Sequence, residues 1–489
     1  MKKKNIEKYR KDVVDMDYDL ADFAIETAQK HGADYAEARL ESTEGDGFLL
    51  KNGIPQVSGF DLIKGIGMRF LVKNAMSSFC TNVLDKKSIE EGIIKAIKSA
   101  NASKRINEKI EFAKEPSYKA NYQVKEKIKL ADIGPDEKIS LLYEIQKKIA
   151  QTKVRTMGTY LSLSTYGTER YFTNNEGSRI ISKIPRTNFF YYVTVEEKGQ
   201  SAQRFWQYGS ATGWEYVKEM NYPEILKTDV LALSSTLKNG KRAPTGNLDV
   251  VCGPQVVGIM VHESVGHPYE ADRILGREAA QAGESFLSPD KIGYKIGSDV
   301  VNVVDDPTIE NSYGYYLYDD EGVKARPKNL IKNGVITEFL HNRSTAAELG
   351  VKSNAAARVT HYDREPIVRM SNTMVVPGDQ TEEELISGIK NGIYMKNFME
   401  WNIDDKRLNQ KYVGSESYLI KNGQITDPIK WPAIEIETPQ LWSSVDGVAK
   451  NTELHAGSCG KGEPMQAIPV LFGGPSIRLR NIRLSLGNI

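Results

Sequence analysis

The segment 248–275 contains the residues best suited to chemistry: His262, Glu263 and His267, in the pattern H-E-x-x-x-H. Zinc peptidases commonly carry H-E-x-x-H on one helix, because histidines at that spacing share a face and both imidazoles reach the same ion. Here the histidines are five residues apart. On an ideal helix that spacing separates them by about 140°, too far for one metal ion. The pattern therefore predicts a metal site only if the helix is interrupted between them.

The two residues that flank His267 favour an interruption of the helix. Gly266 loosens the backbone, and Pro268 lacks an N–H and disfavours the helical conformation at the residue before it. We therefore predict that His267 lies at a kink, a wide turn or a helix end, and that Pro268 opens a second helical turn over 269–275. The simpler alternative, that the two histidines are unrelated, stays open because the chain has six histidines.

A catalytic zinc ion needs three protein ligands and one open position, so the two histidines require a partner. Cys459 lies in the run Ala456-Gly457-Ser458-Cys459-Gly460-Lys461-Gly462, where small residues permit close approach and Lys461 favours the thiolate. Cys252 follows an apolar strand and is better explained as a buried filler. From the residues alone, the third ligand stays open between Cys459 and the other candidates: Cys252, Glu270, Asp272, His341, His361 and His455.

Composition limits the classes of protein to consider. The 489 residues suffice for two large domains, and the formal net charge of +1 gives no general field that would attract nucleic acid or an anionic membrane. Three cysteines provide no disulfide framework and indicate a reducing compartment. Residues 1–11 are highly charged, and no apolar run follows that suits a signal or an anchor. We therefore expect a soluble cytoplasmic protein that binds neither nucleic acid nor membrane.

The first half of the chain alternates between helical and strand patterns. Apolar residues recur at helical spacing in three stretches: 19–31, 89–100 and 139–149. Alternating apolar residues predict strands in five stretches: 35–40, 47–50, 57–60, 66–72 and parts of 160–215. His31 closes the first helix, where a basic residue complements the helix dipole. The lysine-rich stretch 108–132 is predicted to be a solvated connector, and Cys80 a small buried side chain.

Signals for a domain boundary gather at 238–246, where Lys-Asn-Gly, Pro244 and Gly246 precede an apolar strand. We therefore predict two domains: an N-terminal α+β domain at 1–238, and a β-rich C-terminal domain at 239–489 that carries the metal-site helix. Two near-copies with Asn-Gly at their centre, 331–337 and 420–426, predict β-hairpins in the second domain. The fold class that follows is α+β.

Several motifs in the right order resemble the TldD/PmbA family of cytoplasmic metallopeptidases, and the similarity covers nearly the whole chain. The motifs that carry it are Gly32-Ala33-Asp34-Tyr35-Ala36-Glu37, His262-Glu263-Ser264-Val265-Gly266-His267, Tyr318-Asp319-Asp320-Glu321-Gly322, Leu340-His341-Asn342-Arg343 and the Gly-Ser-Cys-Gly loop at 457–460. The resemblance implies that His262, His267 and Cys459 are the zinc ligands and that Glu263 is the catalytic acid/base. Because the PmbA-like branch lacks the metal motif, this chain resembles the TldD-like branch, which binds metal.

The resemblance also implies a function, a zinc-dependent peptidase for small or unfolded peptides that are held as an added strand in an enclosed cleft. A zinc ion held by two imidazoles and a thiolate makes a water in the fourth position acidic, and Glu263 takes its proton and passes it to the leaving amine. Dimerisation is implied as well, as a homodimer or with a metal-free paralogue. The aromatic run at 189–192 suits such an interface, or a core.

Two alternatives stay open. Asp319, Asp320 and Glu321 could bind a second metal, but neighbouring residues of a strand point to opposite faces, which favours a structural or substrate-cleft role. The alternative function is that of a non-catalytic assembly subunit, which completes a partner's cleft and holds a structural metal. A structural zinc site ordinarily has a fourth protein ligand. His455, which precedes Cys459 by four residues, could supply it.

Overall fold

The computed structural model describes residues 16–103, 109–278 and 284–487. The charged segment 1–11, on which the expectation about signals and anchors rests, lies outside these residues. The α-helices of the described chain are α1 Tyr18–Lys30, α2 Lys86–Ser103, α3 Pro135–Gln151, α4 Glu215–Glu219, α5 Tyr222–Asn239, α6 Pro254–Val261, α7 Ala271–Ile274, α8 Arg343–Glu348, α9 Glu382–Ser387 and α10 Thr438–Ser443. The strands are β1 Tyr35–Lys51, β2 Ile54–Val72, β3 Ala75–Thr81, β4 Lys119–Gln123, β5 Thr156–Asn174, β6 Arg179–Glu197, β7 Gln200–Ser210, β8 Lys241–Arg242, β9 Gly246–Cys252, β10 Val303–Asp305, β11 Lys328–Lys332, β12 Val335–Ile336, β13 Ala357–Arg358, β14 Ile367–Val368, β15 Asn372–Val375, β16 Asn391–Ile403, β17 Asn409–Lys421, β18 Gln424–Lys430, β19 Pro432–Glu437, β20 Val445–Lys461 and β21 Gln466–Leu486.

The first sheet has seven strands in the order β3-β2-β1-β5-β6-β4, with β7 paired to β6. The four short strands predicted between residues 35 and 72 are instead two long ones, β1 and β2, of 17 and 19 residues. β1 pairs with β2 on one side and with β5 on the other, so its glycines and polar residues keep their backbone hydrogen bonds. Asn52-Gly53 forms the turn between them, and both residues have the positive φ (51° and 76°) that a two-residue hairpin needs.

Helices α1, α2 and α3 confirm the three helices predicted from apolar spacing, and His31 is the C-cap of α1. Two other predictions for this half are wrong. The stretch 108–132, of which 109–132 is described, is not only a connector, because Lys119–Gln123 forms β4 and pairs in parallel with β6 through its backbone, which needs no apolar period. Cys80 is exposed rather than buried, because β3 lies at the edge of the sheet.

The second sheet has twelve strands along the path β12-β11-β10-β15-β21-β9-β16-β17-β18-β8, with β19 paired to β17 and β21, and β20 paired to β21. Both predicted Asn-Gly hairpins are present: Asn333-Gly334 joins β11 to β12, and Asn422-Gly423 joins β17 to β18. All four residues have positive φ, of 48°, 72°, 47° and 79°. The predicted α+β fold class with a β-rich second half is confirmed.

The strands of the first sheet lie within 35–210 and those of the second within 241–486, with α5 between them in the chain. One continuous apolar core contains side chains from both halves, among them Phe189 of β6 and Met260 of α6. The domain division after residue 238 stays a prediction. No helix in the described ranges has both the length and the apolar character needed to cross a bilayer.

Candidate metal centre

His262 and His267 are held by a helix that changes its hydrogen-bond period between them. α6 is followed directly by a π-helical turn, His262–Gly266, in which the His267 backbone N–H donates to the His262 carbonyl oxygen at 3.1 Å. A turn closed between residues five apart places them on one face, where a continuous α-helix would separate them. The two imidazole rings consequently lie 4.9 Å apart, centroid to centroid. The predicted interruption is present, and it is a wide turn.

The sequence-based explanation of this turn needs two corrections. Gly266 also fits the packing here, since a Cβ at this position would lie 2.5 Å from the Sδ atom of the buried Met370. Pro268 does not open a helix, because Glu270 is extended (φ −68°, ψ 115°) and α7 begins only after it. The extended conformation follows from a β-bridge between Glu270 and Leu340. His267 itself has helical dihedral angles (φ −65°, ψ −46°), so the predicted effect of Pro268 on the preceding residue is absent, and tertiary packing and strand pairing hold the chain in this path.

Strand β20 brings the thiol of Cys459 to the two histidines. α6 packs against β21, the partner of β20, and Gly258 permits this close approach, because a Cβ there would lie 2.8 Å from the ring of Phe472. The Cys459 Sγ lies 3.2 Å from the His267 Nε2. One donor atom from each of His262, His267 and Cys459 lies within 4.8 Å of the others, and all three residues are buried. Two distant parts of the sequence thus supply one group of donors.

The three side chains fit a zinc ion in chemical kind and in spacing. Zn–N and Zn–S bonds of ~2.0–2.3 Å place donors that share an ion roughly 3 to 4 Å apart. Burial holds the pKa of His267 well below its usual value, so this ring is neutral and offers a lone pair. Burial alone would raise the pKa of the Cys459 thiol, but this pKa lies well below its usual value, because His262, whose own pKa is raised by Cys459, and Arg369 carry positive charge beside the thiolate.

Glu270 fixes the orientation of the His267 ring. Its Oε2 lies 3.1 Å from the His267 Nδ1, the ring nitrogen that does not face Cys459. A carboxylate in this position orients a metal-binding histidine and makes it a stronger donor. Glu270 is fully buried, and the cations of Lys461 (Nζ at 3.1 Å) and Arg273 (Nε at 3.3 Å) compensate its charge. Glu270 is therefore a positioning residue for the candidate ligand rather than a fourth donor.

Glu263 lies beside the donors and is held by two side chains from the β16–β17 hairpin. Arg407 donates from Nη1 to the Glu263 Oε2 at 2.7 Å, and Trp401 donates from Nε1 to Oε1 at 3.2 Å. Each carboxylate oxygen has two lone pairs, so each can accept a further proton or hydrogen bond. The arrangement anchors a carboxylate next to the imidazoles without using up its capacity to accept a proton.

The donor group opens onto a cleft of about 590 Å³. Both halves of the chain contribute to its aromatic walls, which consist of Phe190, Phe205, Trp206, Phe398, Trp401 and Phe472. Of the aromatic run at 189–192, Phe190 lines this cleft while Phe189 and Tyr191 are buried in the core. The aromatic residues of this run therefore lie mainly in the core and in the cleft wall, so the run no longer supports a subunit interface.

The other candidate ligands lie elsewhere or are engaged with other partners. His455 lies four residues before Cys459 on an extended strand, ~13 Å away along the chain, and packs against Trp206 with ring centroids 5.0 Å apart. Cys252 is a buried core residue, as predicted. Three more have partners of their own: His341 with Thr345, His361 with Glu41, and Asp272 with Lys461. In the described part of the chain, none of these joins the group of His262, His267 and Cys459.

The acidic triplet Asp319, Asp320 and Glu321 is also engaged, and it does not converge on one point. The Asp319 carboxylate accepts three backbone N–H groups. Asp320 pairs with Arg170 of β5 at 3.0 Å, and Glu321 pairs with Arg69 of β2 at 2.6 Å. These contacts fit the structural role favoured over a second metal, because they join the second half of the chain to the first sheet.

Sequence reasoning missed three residues that contact the centre. Glu270 was weighed only as a ligand, although a carboxylate three residues after a metal-binding histidine is a usable signal for an orienting partner. Arg407 and Trp401 lie 144 and 138 residues from Glu263 in the chain. No local pattern connects residues so far apart, so only the fold reveals their contact.

Comparison with known proteins gives a consistent result along most of the chain. Three PmbA/TldA metallopeptidase domains match in order: domain 1 at residues 36–103, the central domain at 128–234 and the C-terminal domain at 245–486. The chain is 34% identical to a metalloprotease of Methanocaldococcus jannaschii over 454 residues, 91% of this chain and 96% of that protein. It is 24% identical over 470 residues to a zinc metalloprotease TldD homolog of Saccharolobus solfataricus, 94% of this chain and 98% of that protein.

The fold is also similar to a solved structure. TldE from Thermococcus kodakarensis superposes with a TM-score of 0.75 at 16% sequence identity, over 95% of this chain and 100% of that chain. At this identity the similarity establishes the fold, while the sequence matches establish kinship. The chain therefore belongs to the PmbA/TldA metallopeptidase family, which is the TldD/PmbA family that its motifs predict.

Proposed function

We propose that the protein is a zinc-dependent peptidase that hydrolyses small or unfolded peptides, with His262, His267 and Cys459 as zinc ligands and Glu263 as the general base. The observation that carries the proposal is the convergence of these two imidazoles and one thiol within 4.8 Å, beside an anchored carboxylate. The relatives' names, which include a zinc metalloprotease, support the same reading at the level of the family.

The residues of the centre divide the work of peptide hydrolysis between them. A zinc ion bound by the three donors would polarise the scissile carbonyl and acidify the attacking water. Glu263 accepts the proton of that water and returns it to the leaving amine. Arg407 and Trp401 hold the Glu263 carboxylate in place, while Glu270 holds the His267 ring. The aromatic walls of the cleft limit the access of bulk water to the reacting groups.

A catalytic metal is favoured over a structural one by the number of donors. A structural zinc ion ordinarily has four protein ligands, and a catalytic one has three and an open position. Among the described residues the group has three members, and His455, the fourth ligand considered from the sequence, packs against Trp206 instead. The donors also border an open cleft, which a structural ion does not need.

Strand addition is the proposed mode of substrate binding. β20 carries Cys459 and pairs along one side with β21, and its residues 456–460 line the cleft. An extended peptide beside β20 would form backbone hydrogen bonds that do not depend on side-chain identity. This mode suits peptides and unfolded segments, because a folded protein does not present an extended backbone.

The test is cleavage of a short, unstructured peptide by the purified protein, followed by mass spectrometry. We expect cleavage that a chelator abolishes and that added zinc restores. The Glu263→Gln variant is expected to retain zinc and lose cleavage, since the ligands survive while the base is lost. Zinc-loaded protein that cleaves no peptide, alone or mixed with a metal-free paralogue, would favour the assembly subunit with a structural metal instead.

We also propose that the protein works as a dimer, as a homodimer or with a metal-free paralogue. The exposed tip of the β1–β2 hairpin supports this proposal, because Ile54, Val57 and Phe60 there are 63%, 54% and 61% exposed. Exposed apolar side chains are common at protein interfaces. Light scattering is expected to give about twice the 54.7 kDa mass of one chain, and a monomer mass at micromolar concentration would contradict the homodimer.

A further inference from the structure

A second cavity, of about 590 Å³, lies between the first sheet and the second half of the chain. None of His262, Glu263, His267 and Cys459 lines it. Its walls carry six aromatic side chains: Phe60, Tyr122, Tyr166, Tyr315, Tyr316 and Tyr318. The volume is within the range of small-molecule sites, roughly 300–1,000 Å³. We call this space the arginine cavity, because Arg186 and Arg358 also line it.

Both arginines are buried, and carbonyl oxygens are their hydrogen-bond partners. Arg186 is 8% exposed and donates to the backbone oxygens of Tyr313 at 3.1 Å and Tyr315 at 3.2 Å. Arg358 is 6% exposed and donates to the backbone oxygens of Met370 at 2.8 Å and Pro469 at 2.7 Å. A guanidinium has five N–H groups, so these contacts account for only part of each side chain's donors.

This pair differs from the other buried arginines of the described chain, each of which has a carboxylate partner within 4.0 Å. Those pairs are Arg39 with Glu37, Arg69 with Glu37 and Glu321, Arg204 with Asp229, Arg273 with Glu270 and Glu278, Arg343 with Glu176, Arg369 with Glu270, Arg407 with Glu263, and Arg478 with Asp446. Burying a guanidinium without a counter-charge is unfavourable. The exception therefore needs an explanation.

The carboxylates that line the same cavity are held by other groups. Asp46 pairs with Lys138 at 2.6 Å, and Asp320 pairs with Arg170 at 3.0 Å. Asp319 accepts three backbone N–H groups, and Asp61 is exposed. Burial, together with repulsion from the neighbouring guanidinium groups of Arg186 and Arg369, lowers the pKa of Arg358 to about 10. Among the described residues, Arg186 and Arg358 therefore have no carboxylate within ion-pair distance, and Asp320 acts on Arg358 only from farther away.

We propose that the arginine cavity binds a small organic acid, a carboxylate on an apolar or aromatic body, with the guanidinium groups of Arg186 and Arg358 as the partners of the carboxylate. A guanidinium matches a carboxylate in charge and in planar geometry. The aromatic walls provide surface for the body of the ligand. A singly charged group is favoured over a phosphate dianion, since the carboxylates of Asp319 and Asp320 lie in the same wall. The proposal does not depend on metal binding or on peptidase activity.

The test uses N-acetylphenylalanine as the probe and its amide as the uncharged match, with the full-length protein in a titration calorimeter. We expect the acid to bind and the amide to bind at least about tenfold more weakly. The Arg186→Gln and Arg358→Gln variants are expected to weaken the acid by a similar factor. Arg155→Gln is the control, because Arg155 is 68% exposed and pairs with Glu196 at the surface. The Cys459→Ala variant should bind the acid as the wild type does.

Several outcomes would overturn the proposal. Equal binding of acid and amide, or no binding of the acid at millimolar concentration, would remove the role of the charge. Loss of binding in the Cys459→Ala variant would indicate that the acid binds at the metal centre instead. Tighter binding of inorganic phosphate than of the acid would reject the carboxylate. If the glutamine variants do not fold, Arg186→Lys and Arg358→Lys keep the charge without the planar fork, and undiminished acid binding in both would contradict the assignment.

Discussion

The metal centre and the acidic triplet Asp319-Asp320-Glu321 are both buried groups of polar side chains, yet their atoms are used differently. At the triplet, backbone N–H groups donate to Asp319, and arginines of the first sheet pair with Asp320 and Glu321. At the metal centre, two imidazoles and a thiol converge on one another. Such donors share a buried space most readily when they bind a cation. The protein completes the triplet by itself, and we propose that a metal ion completes the other group.

The difference shows how to distinguish a structural cluster from a functional one. The acidic triplet resembles a metal site in the sequence because its three carboxylates are adjacent, but its partners tie two halves of the chain together. The donors of the metal centre are up to 197 residues apart in the chain, from His262 to Cys459, and border a cleft. Where the polar atoms find their partners is thus more informative than how closely the residues cluster in sequence.

The largest expected effect is on metal content. Replacing Cys459 by Ala removes one of three donors, so bound zinc should fall from about one ion per chain to near zero after dialysis, and peptide cleavage should fall to background. Elemental analysis by mass spectrometry gives the zinc content. Cys252→Ala is the matched control, because Cys252 is an equally buried cysteine in the core, and it should keep its zinc. Full zinc in the Cys459→Ala protein would contradict the ligand set.

The next effect separates the base from the ligands. Glu263→Gln should lower kcat for peptide cleavage by about 10²- to 10⁴-fold, the usual contribution of general acid–base catalysis, with zinc content unchanged. Steady-state kinetics and elemental analysis of one preparation check both parts. Turnover close to wild type in the Gln variant would reject Glu263 as the base.

The acidic triplet is expected to respond in stability and not in metal content. Glu321→Gln removes one counter-charge of the buried Arg69, which keeps Glu37, so the free energy of unfolding should fall by about 1–3 kcal/mol. Urea denaturation measures this loss. Arg155→Gln breaks an exposed pair and should cost at most about 1 kcal/mol. If Glu321→Gln lost its zinc while its stability was unchanged, the distinction between the two clusters would fail.

A smaller effect is expected from the partner of His267. Glu270→Gln removes the carboxylate that orients the ring, so zinc affinity should fall by roughly 10- to 100-fold without total loss. Competition with a chromogenic chelator measures the affinity. Glu278→Gln is the control, because Glu278 pairs with the same Arg273 and does not contact His267, and its zinc affinity should stay near the wild-type value. Equal zinc affinities in the two variants would show that Glu270 compensates the charge of Arg273 and does not orient the His267 ring.

The sequence predicted the residues of the candidate site better than their geometry. The spacing of His262 and His267 required a break in the helix, and a π-helical turn is present there. The cause is less local than expected. A Cβ at Gly266 would come too close to the side chain of Met370, and Glu270 forms a β-bridge with Leu340. Propensity is a weak predictor wherever such tertiary contacts act on the backbone.

Local features of the fold were predictable from the sequence, and long-range pairings were not. The three helices of the first half and the Asn-Gly hairpins were predictable, because apolar period and turn chemistry are local. Strand β4 was not, since its pairing with β6 is a backbone contact across more than fifty residues. The contacts of Arg407 and Trp401 with Glu263 are equally distant in the chain. Pairings of this kind become visible only when the fold is known.

X-ray absorption spectroscopy of the zinc-loaded protein at the zinc edge is the decisive measurement for the metal centre, because it counts the sulfur and nitrogen neighbours of zinc in solution. For the proposed ligands we expect one sulfur at ~2.3 Å and two imidazole nitrogens at ~2.0–2.1 Å, with a light-atom neighbour in the open position. In the Cys459→Ala protein any residual zinc should show no sulfur. A wild-type spectrum without sulfur, or one with four protein ligands and no open position, would contradict the claim that His262, His267 and Cys459 form a catalytic zinc site.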